Sequence, residues 1–327
     1  EPTLFFKQYP GYLICLDEIQ RKPDIFPALR SIMDSNDHNG QFLFLGSASP
    51  DLLRQSSESL AGRIIYQELT AFLITELMND DQDHLFKKFW LRGGFPRSYL
   101  ATNDELSFTW RKEFIKTFLE RDISNLGINY PPQTMGRLWR MLSHVQGQVV
   151  NMSQLGNSLG VSHTMVRNYI DILQETFMIR TLSPWSGNLK KRLIRSPKIY
   201  IRDSGILHAL QNIHDFDSLI GHPLAGVSWE TMVIENILGN IDDFEVSYFR
   251  TSTGNEVDLV LQKHGNTYAI EVKLSTAPKL SKGFYGALDD LNATKAWIVA
   301  PVEHPYPLKK DITVVPLRHL LELLLGL

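Results

Sequence analysis

Two short apolar runs near the start of the chain predict buried parallel strands. The first is YLICL at residues 12–16, and the second runs from Phe42 to Leu45. Between them, apolar residues recur at helical spacing: Ile25, Leu29, Ile32 and Met33. Continuous apolar runs are typical of strands covered on both faces, and a strand, a helix and a parallel strand form a right-handed βαβ unit. The pattern therefore predicts a parallel α/β sheet in which Cys15 is buried.

The middle of the chain has mainly helical periodicity. Residues 80–126 predict helices that are broken by the turn Gly93-Gly94-Phe95-Pro96. Residues 133–182 then predict a helix, a short β segment (QVVNM), a helix, a tight turn, a helix and a strand. This order resembles a winged helix-turn-helix, and residues 183–198 are expected to form a connector.

The last third alternates between strand and helix patterns, so a second α/β unit is predicted from about residue 199. Its predicted elements are helices at 228–239 and near 281–291, and strands at 244–250, 256–262, 267–274 and 295–300. The apolar end of the chain, LRHLLELLLGL, is short for a membrane anchor and predicts a packed helix or an interface. The fold class is therefore a multidomain α/β protein.

Charge and composition narrow the class of protein. With 33 Lys and Arg against 36 Asp and Glu, the formal net charge is −3, so any nucleic-acid contact has to come from a local patch. One cysteine excludes a disulfide within the chain. The sequence shows neither a signal peptide nor an apolar stretch that could span a membrane, so the cytoplasm is the expected compartment.

Two adjacent carboxylates, Asp17 and Glu18, end the first predicted strand. Ligands of open α/β sheets gather at the carboxyl ends of strands, where one acid can hold Mg²⁺ and the next can activate a water for attack on a phosphate. The second predicted strand is followed by Ser47, a hydroxyl at the same sheet edge. The alternative is that the two acids only cap a loop or the next helix.

A strand ending in two such acids is a Walker B motif, and Walker B followed by a polar sensor resembles the AAA+ ATPases. Further stretches extend the resemblance to prokaryotic AAA-like ATPases with a C-terminal domain of unknown function: SLAGRIIYQELTAF, GGFPRSYL, ERDISNL and NLKKRLIRSPKIYIRDSGILHAL. The resemblance implies an ATP-hydrolysing enzyme in which Asp17 binds Mg²⁺, Glu18 is the general base and Ser47 is the sensor. It also implies a phosphate contact for Arg63, whose alternative role is a surface ion pair.

The sequence departs from that family because it contains no glycine-rich phosphate loop. Backbone N–H groups and the lysine of such a loop hold the nucleotide phosphates. We therefore expect weak ATP binding by these 327 residues, and binding of ATP with Mg²⁺ only when the missing N-terminal segment is present.

The predicted helix at 163–175 is a candidate DNA-reading element. Ser162 is a plausible N-cap, and several polar residues follow near the start of the helix: His163, Thr164, Arg167 and Asn168. Asp171 and Glu175 lie on the same helix, and the alternative is a winged helix that serves only for packing. A basic cluster follows, which either contacts phosphates or is a solvated connector: Lys190, Lys191, Arg192, Arg195 and Lys198.

Four charged residues near the C-terminus are expected to share one pocket. Strand alternation places Glu256, Asp258 and Val260 on one face, and Glu271 and Lys273 share a face of the next strand. Glu230 lies on an otherwise apolar helix face.

Glu230, Asp258 and Glu271 would hold Mg²⁺ or Mn²⁺, while Lys273 would orient water or stabilise phosphate charge. The pattern Asp258…Glu271-Val272-Lys273 resembles the PD-(D/E)xK nucleases, in which Asp258, Glu271 and Lys273 would be catalytic. The alternative is a salt-bridged sheet edge in an inactive relative. Because three close carboxylates repel one another, Asp258→Ala is expected to leave the protein folded.

The sequence thus predicts four parts. They are the second half of an AAA-like ATPase domain (1–78), a helical connector or lid (79–130), a winged-helix domain (131–185) and a nuclease-like α/β domain (186–327). The leading function is an ATP-binding protein that couples nucleotide state to a nuclease-like domain acting on DNA or RNA. The alternatives are a Mg²⁺- or Mn²⁺-dependent nuclease and a non-catalytic, antitoxin-like adaptor. Assembly into a homo-oligomer is left open.

Overall fold

A computed structural model describes residues 2–35, 38–46, 60–77, 82–125, 130–187 and 193–327. The chain divides into two compact units, Glu1–Leu69 and Thr70–Leu327. The predicted boundaries at 130/131 and 185/186 lie within the second unit, and they stay a prediction.

The first unit contains the predicted βαβ arrangement. Strand β1 (Ile14–Leu16) pairs in parallel with β2 (Phe42–Phe44), and the helix Phe26–Ser35 connects them. A short helix, Pro2–Phe6, precedes β1, and two 3₁₀ turns, Ile19–Arg21 and Pro23–Ile25, follow it. Partly buried side chains of β1 and β2 pack against the core of this unit, which is built from Phe6, Ile19, Phe26, Leu29, Ile32 and Leu60.

The prediction that Cys15 is buried is wrong. Successive side chains of a strand point to opposite faces. Ile14 and Leu16 pack against the core of this unit, whereas Cys15 and Leu43 lie on the other face and are exposed. The apolar run YLICL therefore forms a strand, but this unit covers only one of its faces.

The second unit is helical in its first half, as predicted. Its helices there are Gln82–Arg92, Pro96–Tyr99, Asp104–Thr117, Pro132–His144, Met152–Leu159 and His163–Glu175. A 3₁₀ turn, Ile74–Glu76, comes first, and a π-helical turn, Phe118–Asp122, and Ile123–Asn125 prolong the third helix. The segment QVVNM does not form a strand, because only Val149 makes an isolated bridge, with Lys198.

The turn Gly93-Gly94 packs against the start of the helix Ser204–Leu210. Asp203 caps that helix by accepting the Ile206 N–H, and its other oxygen accepts the Gly94 N–H at 2.8 Å. A Cβ atom on Gly93, which has a φ of +75°, would lie 2.2 Å from the Asp203 carboxylate. The glycine is therefore needed both for its backbone conformation and for the close approach.

A six-stranded mixed sheet dominates the second half, in the order β5-β6-β7-β8-β10-β9. The strands are β5 Glu245–Arg250, β6 Glu256–Lys263, β7 Asn266–Val272, β8 Lys295–Val299, β9 Tyr306–Lys309 and β10 Ile312–Val315. Two further strands, β3 (Ile179–Leu182) and β4 (Lys198–Ile201), pair antiparallel beside it. The predicted strands 244–250, 256–262, 267–274 and 295–300 are thereby confirmed.

Helices cover both faces of this sheet. Ala225–Asn240 and Leu317–Leu325 pack on one face, and Lys282–Leu291 packs on the other. Two shorter helices, Ser204–Leu210 and Phe216–Ile220, complete the unit. Because the buried side of Leu317–Leu325 joins this core, the apolar end of the chain is a packed helix. No helix within the described ranges is both long enough and apolar enough to span a membrane.

Strict alternation fails in one place on β6. Ser247 pairs with Val260 and Phe249 pairs with Val257, so β6 has one residue more than β5 between these pairs. Such a β-bulge re-aims neighbouring side chains, and Val257 and Val260 both pack in the same core cluster. The prediction that Glu256, Asp258 and Val260 share one face is therefore wrong for Val260, while Glu256 and Asp258 both pair with Lys198.

Candidate functional site

The two carboxylates after β1 lie at the carboxyl end of the parallel pair. The Glu18 N–H donates to Asp17 Oδ1 at 2.9 Å, and the backbone of Glu18 is left-handed, with a φ of 51°. Both side chains are exposed, and Glu18 Oε2 lies 3.5 Å from Arg21 Nε. Exposed carboxylate oxygens at this sheet edge are suitable donors for Mg²⁺ and for a water.

Of the other two predicted nucleotide contacts, Arg63 is among the described residues and Ser47 is not. Arg63 forms an ion pair with Asp34 and also donates to the Ala61 carbonyl. The hydrogen bond from Arg63 holds the pKa of the Asp34 carboxyl below its usual range. Arg63 is thus in the surface ion pair that was its alternative role. Ser47 lies outside the described residues.

The C-terminal charged residues come from four elements that meet at one end of β6 and β7. We call the cluster the acid–lysine pocket, and its members are Lys198, Tyr200, Glu230, Glu256, Asp258, Glu271 and Lys273. Lys198 and Tyr200 are on β4, and Glu230 is on the helix Ala225–Asn240. Gly147 lies against this helix, since a Cβ atom there would approach Glu230 Oε1 to 3.1 Å.

Asp258 is held at both of its oxygens. Its Oδ2 accepts the Val272 N–H at 3.0 Å, and its Oδ1 lies 3.4 Å from Lys198 Nζ. Lys198 Nζ is also 2.9 Å from Glu256 Oε1, and Arg250 Nε approaches the other oxygen of Glu256 at 3.6 Å. Asp258 therefore links the backbone of β7 to a cation on β4.

The remaining acids are also engaged. Lys273 Nζ donates to Glu271 Oε1 at 2.6 Å, and Tyr200 donates its hydroxyl hydrogen to Glu230 Oε1 at 2.7 Å. Glu271 Oε2 is buried without a hydrogen-bond partner. An unpartnered buried carboxylate oxygen is costly while it is charged, which favours protonation of this group.

Burial and mutual repulsion raise the proton affinity of the two glutamates. Burial first, and then the charge of Asp258, raise the pKa of Glu230 and that of Glu271 to about 8 each. Burial alone would lower the pKa of Lys198, but Asp258, Glu230 and Glu256 outweigh it and raise the pKa above its usual value. These shifts favour the charged form of Lys198 and the protonated forms of the two glutamates.

These contacts bear on whether the pocket fits a metal ion. In the part of the chain that the structure describes, no group of three or more His, Cys, Asp or Glu side chains is arranged to hold one. The donors are hard oxygens, as Mg²⁺ prefers, but lysines, a tyrosine and a backbone N–H occupy most of them. Metal binding by Asp17, Glu230, Asp258 and Glu271 stays a prediction.

A cleft of about 650 Å³ adjoins the acid–lysine pocket. It is lined by Gln148, Val149, Ile194, Arg250, Thr251, Ser252 and Gly254. Two of these residues connect it with the pocket, because Val149 bridges to Lys198 and Arg250 approaches Glu256.

The candidate DNA-reading helix has the predicted cap and an exposed polar face. Ser162 accepts the Met165 N–H at 3.2 Å, which confirms it as the N-cap. The polar residues of its first half are exposed: His163, Thr164, Arg167 and Asn168. Asp171 and Glu175 are exposed as well, so acidic and basic groups share the helix surface.

Comparison with known proteins identifies the family. Residues 1–78 match the model of an AAA domain. Residues 83–217 and 225–320 match two domains of unknown function, DUF8612 and DUF4143. Uncharacterized proteins of Mycobacterium bovis and Mycobacterium tuberculosis are each 42% identical to the chain over 321 residues, which are 98% of this chain and 72% of each relative.

The chain belongs to this family of AAA-domain proteins. The resemblance to AAA-like ATPases with a C-terminal domain of unknown function is thereby confirmed at the level of the family. No solved structure matches the chain.

Sequence reasoning missed one central residue of this AAA-domain protein. The sequence places Lys198 in a basic cluster that either contacts phosphates or is a solvated connector. Neither role fits Lys198, since its side chain is 2% exposed and pairs with Glu256 and Asp258. It begins the strand KIYI, and a lysine that opens an apolar run was the available signal. Arg195 of the same cluster is exposed, and Lys190, Lys191 and Arg192 lie outside the described residues.

Proposed function

We propose that this AAA-domain protein hydrolyses ATP and that its nucleotide state controls nucleic-acid binding by the unit Thr70–Leu327. One observation carries the first half of the proposal. The match to an AAA domain over residues 1–78 coincides with two exposed carboxylates directly after β1, at the carboxyl end of a parallel strand pair.

Four residues of the AAA domain would each have a separate role in ATP hydrolysis. Asp17 would hold Mg²⁺, which supplies charge neutralisation to the phosphates when it is bound. Glu18 would accept a proton from the attacking water, and Ser47 would contact the terminal phosphate. Arg63 would contribute a phosphate contact only after leaving Asp34, so its contribution depends on breaking that ion pair.

Glu18→Gln is expected to lower ATP hydrolysis at least about 100-fold while ATP binding stays within about twofold, because the amide keeps the shape but cannot accept the proton. Steady-state phosphate release and calorimetric ATP titration measure the two quantities. The assay uses a form of the protein that includes a glycine-rich phosphate loop, since the 327 residues contain none.

The control for that assay is Glu105→Gln, the same chemical change at an exposed residue in the first turn of the helix Asp104–Thr117. It should leave both hydrolysis and binding unchanged. Hydrolysis by Glu18→Gln at the wild-type rate would rule out Glu18 as the base.

Two surfaces of the second unit support the nucleic-acid half of the proposal. The cleft beside the acid–lysine pocket presents Arg250, whose side chain is 41% exposed and can approach a phosphate. The exposed start of the helix His163–Glu175 presents Arg167 and Asn168. A fold of the PD-(D/E)xK type and a winged helix are proposals that agree with these surfaces.

Cleavage by a metal-dependent nuclease is the second candidate function. In its favour, Asp258, Glu271 and Lys273 converge as that class of enzyme requires, and Glu271 Oε2 is left without a partner. Against it, Asp258 has both oxygens engaged by other groups. We therefore place binding of nucleic acid ahead of its cleavage.

A further inference from the structure

Lys198 is an unusual residue for the interior of a protein. Lysine is almost never fully buried unless it is paired. Here the side chain is 2% exposed, and its ammonium group lies 2.9 Å from Glu256 and 3.4 Å from Asp258. The Tyr248 ring lies beside it, with its centroid 5.4 Å from Nζ. Strand β4 therefore places the positive charge of Lys198 next to the carboxylates of Glu256 and Asp258.

Cations of the protein already pair with three of the four acids in the acid–lysine pocket. Lys198 Nζ lies 2.9 Å from Glu256 and 3.4 Å from Asp258, and Lys273 Nζ lies 2.6 Å from Glu271. Arg250 Nε approaches the other oxygen of Glu256 at 3.6 Å. A divalent cation would add two positive charges to a pocket that already holds two.

We propose that the ammonium group of Lys198 occupies the cation position of this pocket in place of a metal ion. It pairs with the carboxylate oxygens of Asp258 and Glu256, which a divalent metal ion would otherwise bind. The inference goes beyond ATP hydrolysis and does not depend on it. The unit Thr70–Leu327 should therefore keep the structure of this pocket, and the nucleic-acid binding proposed for the unit, without a metal ion.

Four variants and a direct metal titration test this proposal: Lys198→Met, Lys198→Met with Asp258→Asn, Asp258→Asn alone, and Lys295→Met. All are made in an Asp17→Asn background, so that the carboxylate after β1 adds nothing to the signal. About 5 mM MnCl₂ should shift the melting temperature of the parent protein by less than about 1 °C, whereas Lys198→Met should melt at a lower temperature and gain a Mn²⁺-dependent rise of at least about 3 °C. Adding Asp258→Asn to Lys198→Met should remove that rise. Lys295→Met, at an exposed lysine of β8, is the matched control and should behave as the parent protein.

Two results would overturn the proposal. One is a Mn²⁺-induced rise in the parent protein that Asp258→Asn abolishes, because the pocket would then bind metal with Lys198 present. The other is a folded Lys198→Met variant that gains no response to Mn²⁺. If Lys198→Met does not fold, paramagnetic resonance of free Mn²⁺ in the parent protein decides instead. Binding of one equivalent that is lost in Asp258→Asn contradicts the proposal, and no binding supports it.

Discussion

Asp258→Ala is expected to lower the free energy of unfolding by about 3–5 kcal/mol, because it removes one partner of a buried ion pair. Lys198 would keep only Glu256, and the Val272 N–H would lose its acceptor inside the protein. The substitution also removes repulsion from Glu230 and Glu271, but those groups can relieve it by binding protons near neutral pH. The loss of pairing therefore outweighs the relief, and we expect a folded but less stable protein.

Urea-induced unfolding measures this change. Asp258→Asn is the informative companion variant, because its amide oxygen can still accept the Val272 N–H, so it should lose about 2 kcal/mol less than the alanine variant. Glu256→Ala, whose side chain is 34% exposed, should cost less than either. If Asp258→Ala is as stable as the parent protein, Lys198 does not depend on this carboxylate.

Arg111→Met is expected to lower the free energy of unfolding by about 3 kcal/mol, because the guanidinium is fully buried and satisfies backbone carbonyls. Its Nη1 donates to Leu91 O at 3.0 Å and to Gly205 O at 2.9 Å, which joins two other helical segments to the helix Asp104–Thr117. Burial first lowers the pKa of Arg111 to about 10, while nearby Asp203 favours the charged form. Methionine has a similar length but cannot donate to either carbonyl.

The matched control for Arg111→Met is Arg140→Met, at an exposed position of the helix Pro132–His144. Its effect on the urea midpoint should stay within about 0.5 kcal/mol. If Arg111→Met lowers the free energy of unfolding by less than about 1 kcal/mol, the desolvation penalty of the buried guanidinium is as large as the stabilisation from its hydrogen bonds.

Much of the fold follows from the hydrophobic pattern. The strands β5 to β8 and the helix Ala225–Asn240 lie within a few residues of their predicted ranges, because each carries a long apolar pattern with clear ends. The strands β9 and β10 were not predicted. Their stretches YPLK and ITVV are four residues each, too short to carry a periodic signal.

The candidate sites were less predictable, because they depend on contacts between distant parts of the chain. Spacing along the sequence suggested that Glu230, Asp258, Glu271 and Lys273 meet, and their electrostatic interactions agree with that. The pairing of Lys198 with Asp258 could not be predicted, since the two residues are separated by 60 positions and joined only by the packing of β4. The bulge on β6 was equally invisible, because an extra residue leaves the apolar run intact.

The central claim is that nucleotide state controls nucleic-acid binding, and fluorescence anisotropy of labelled DNA and RNA oligonucleotides tests it most directly. Glu18→Gln protein with a phosphate loop is loaded with ATP or with ADP and titrated onto each oligonucleotide, with EDTA-treated nucleotide-free protein as the reference. We predict affinities that differ at least about fivefold between the ATP and ADP states, and a weakening of both by Arg250→Ala. Equal affinity in all three states, or no binding to either oligonucleotide, would contradict the account.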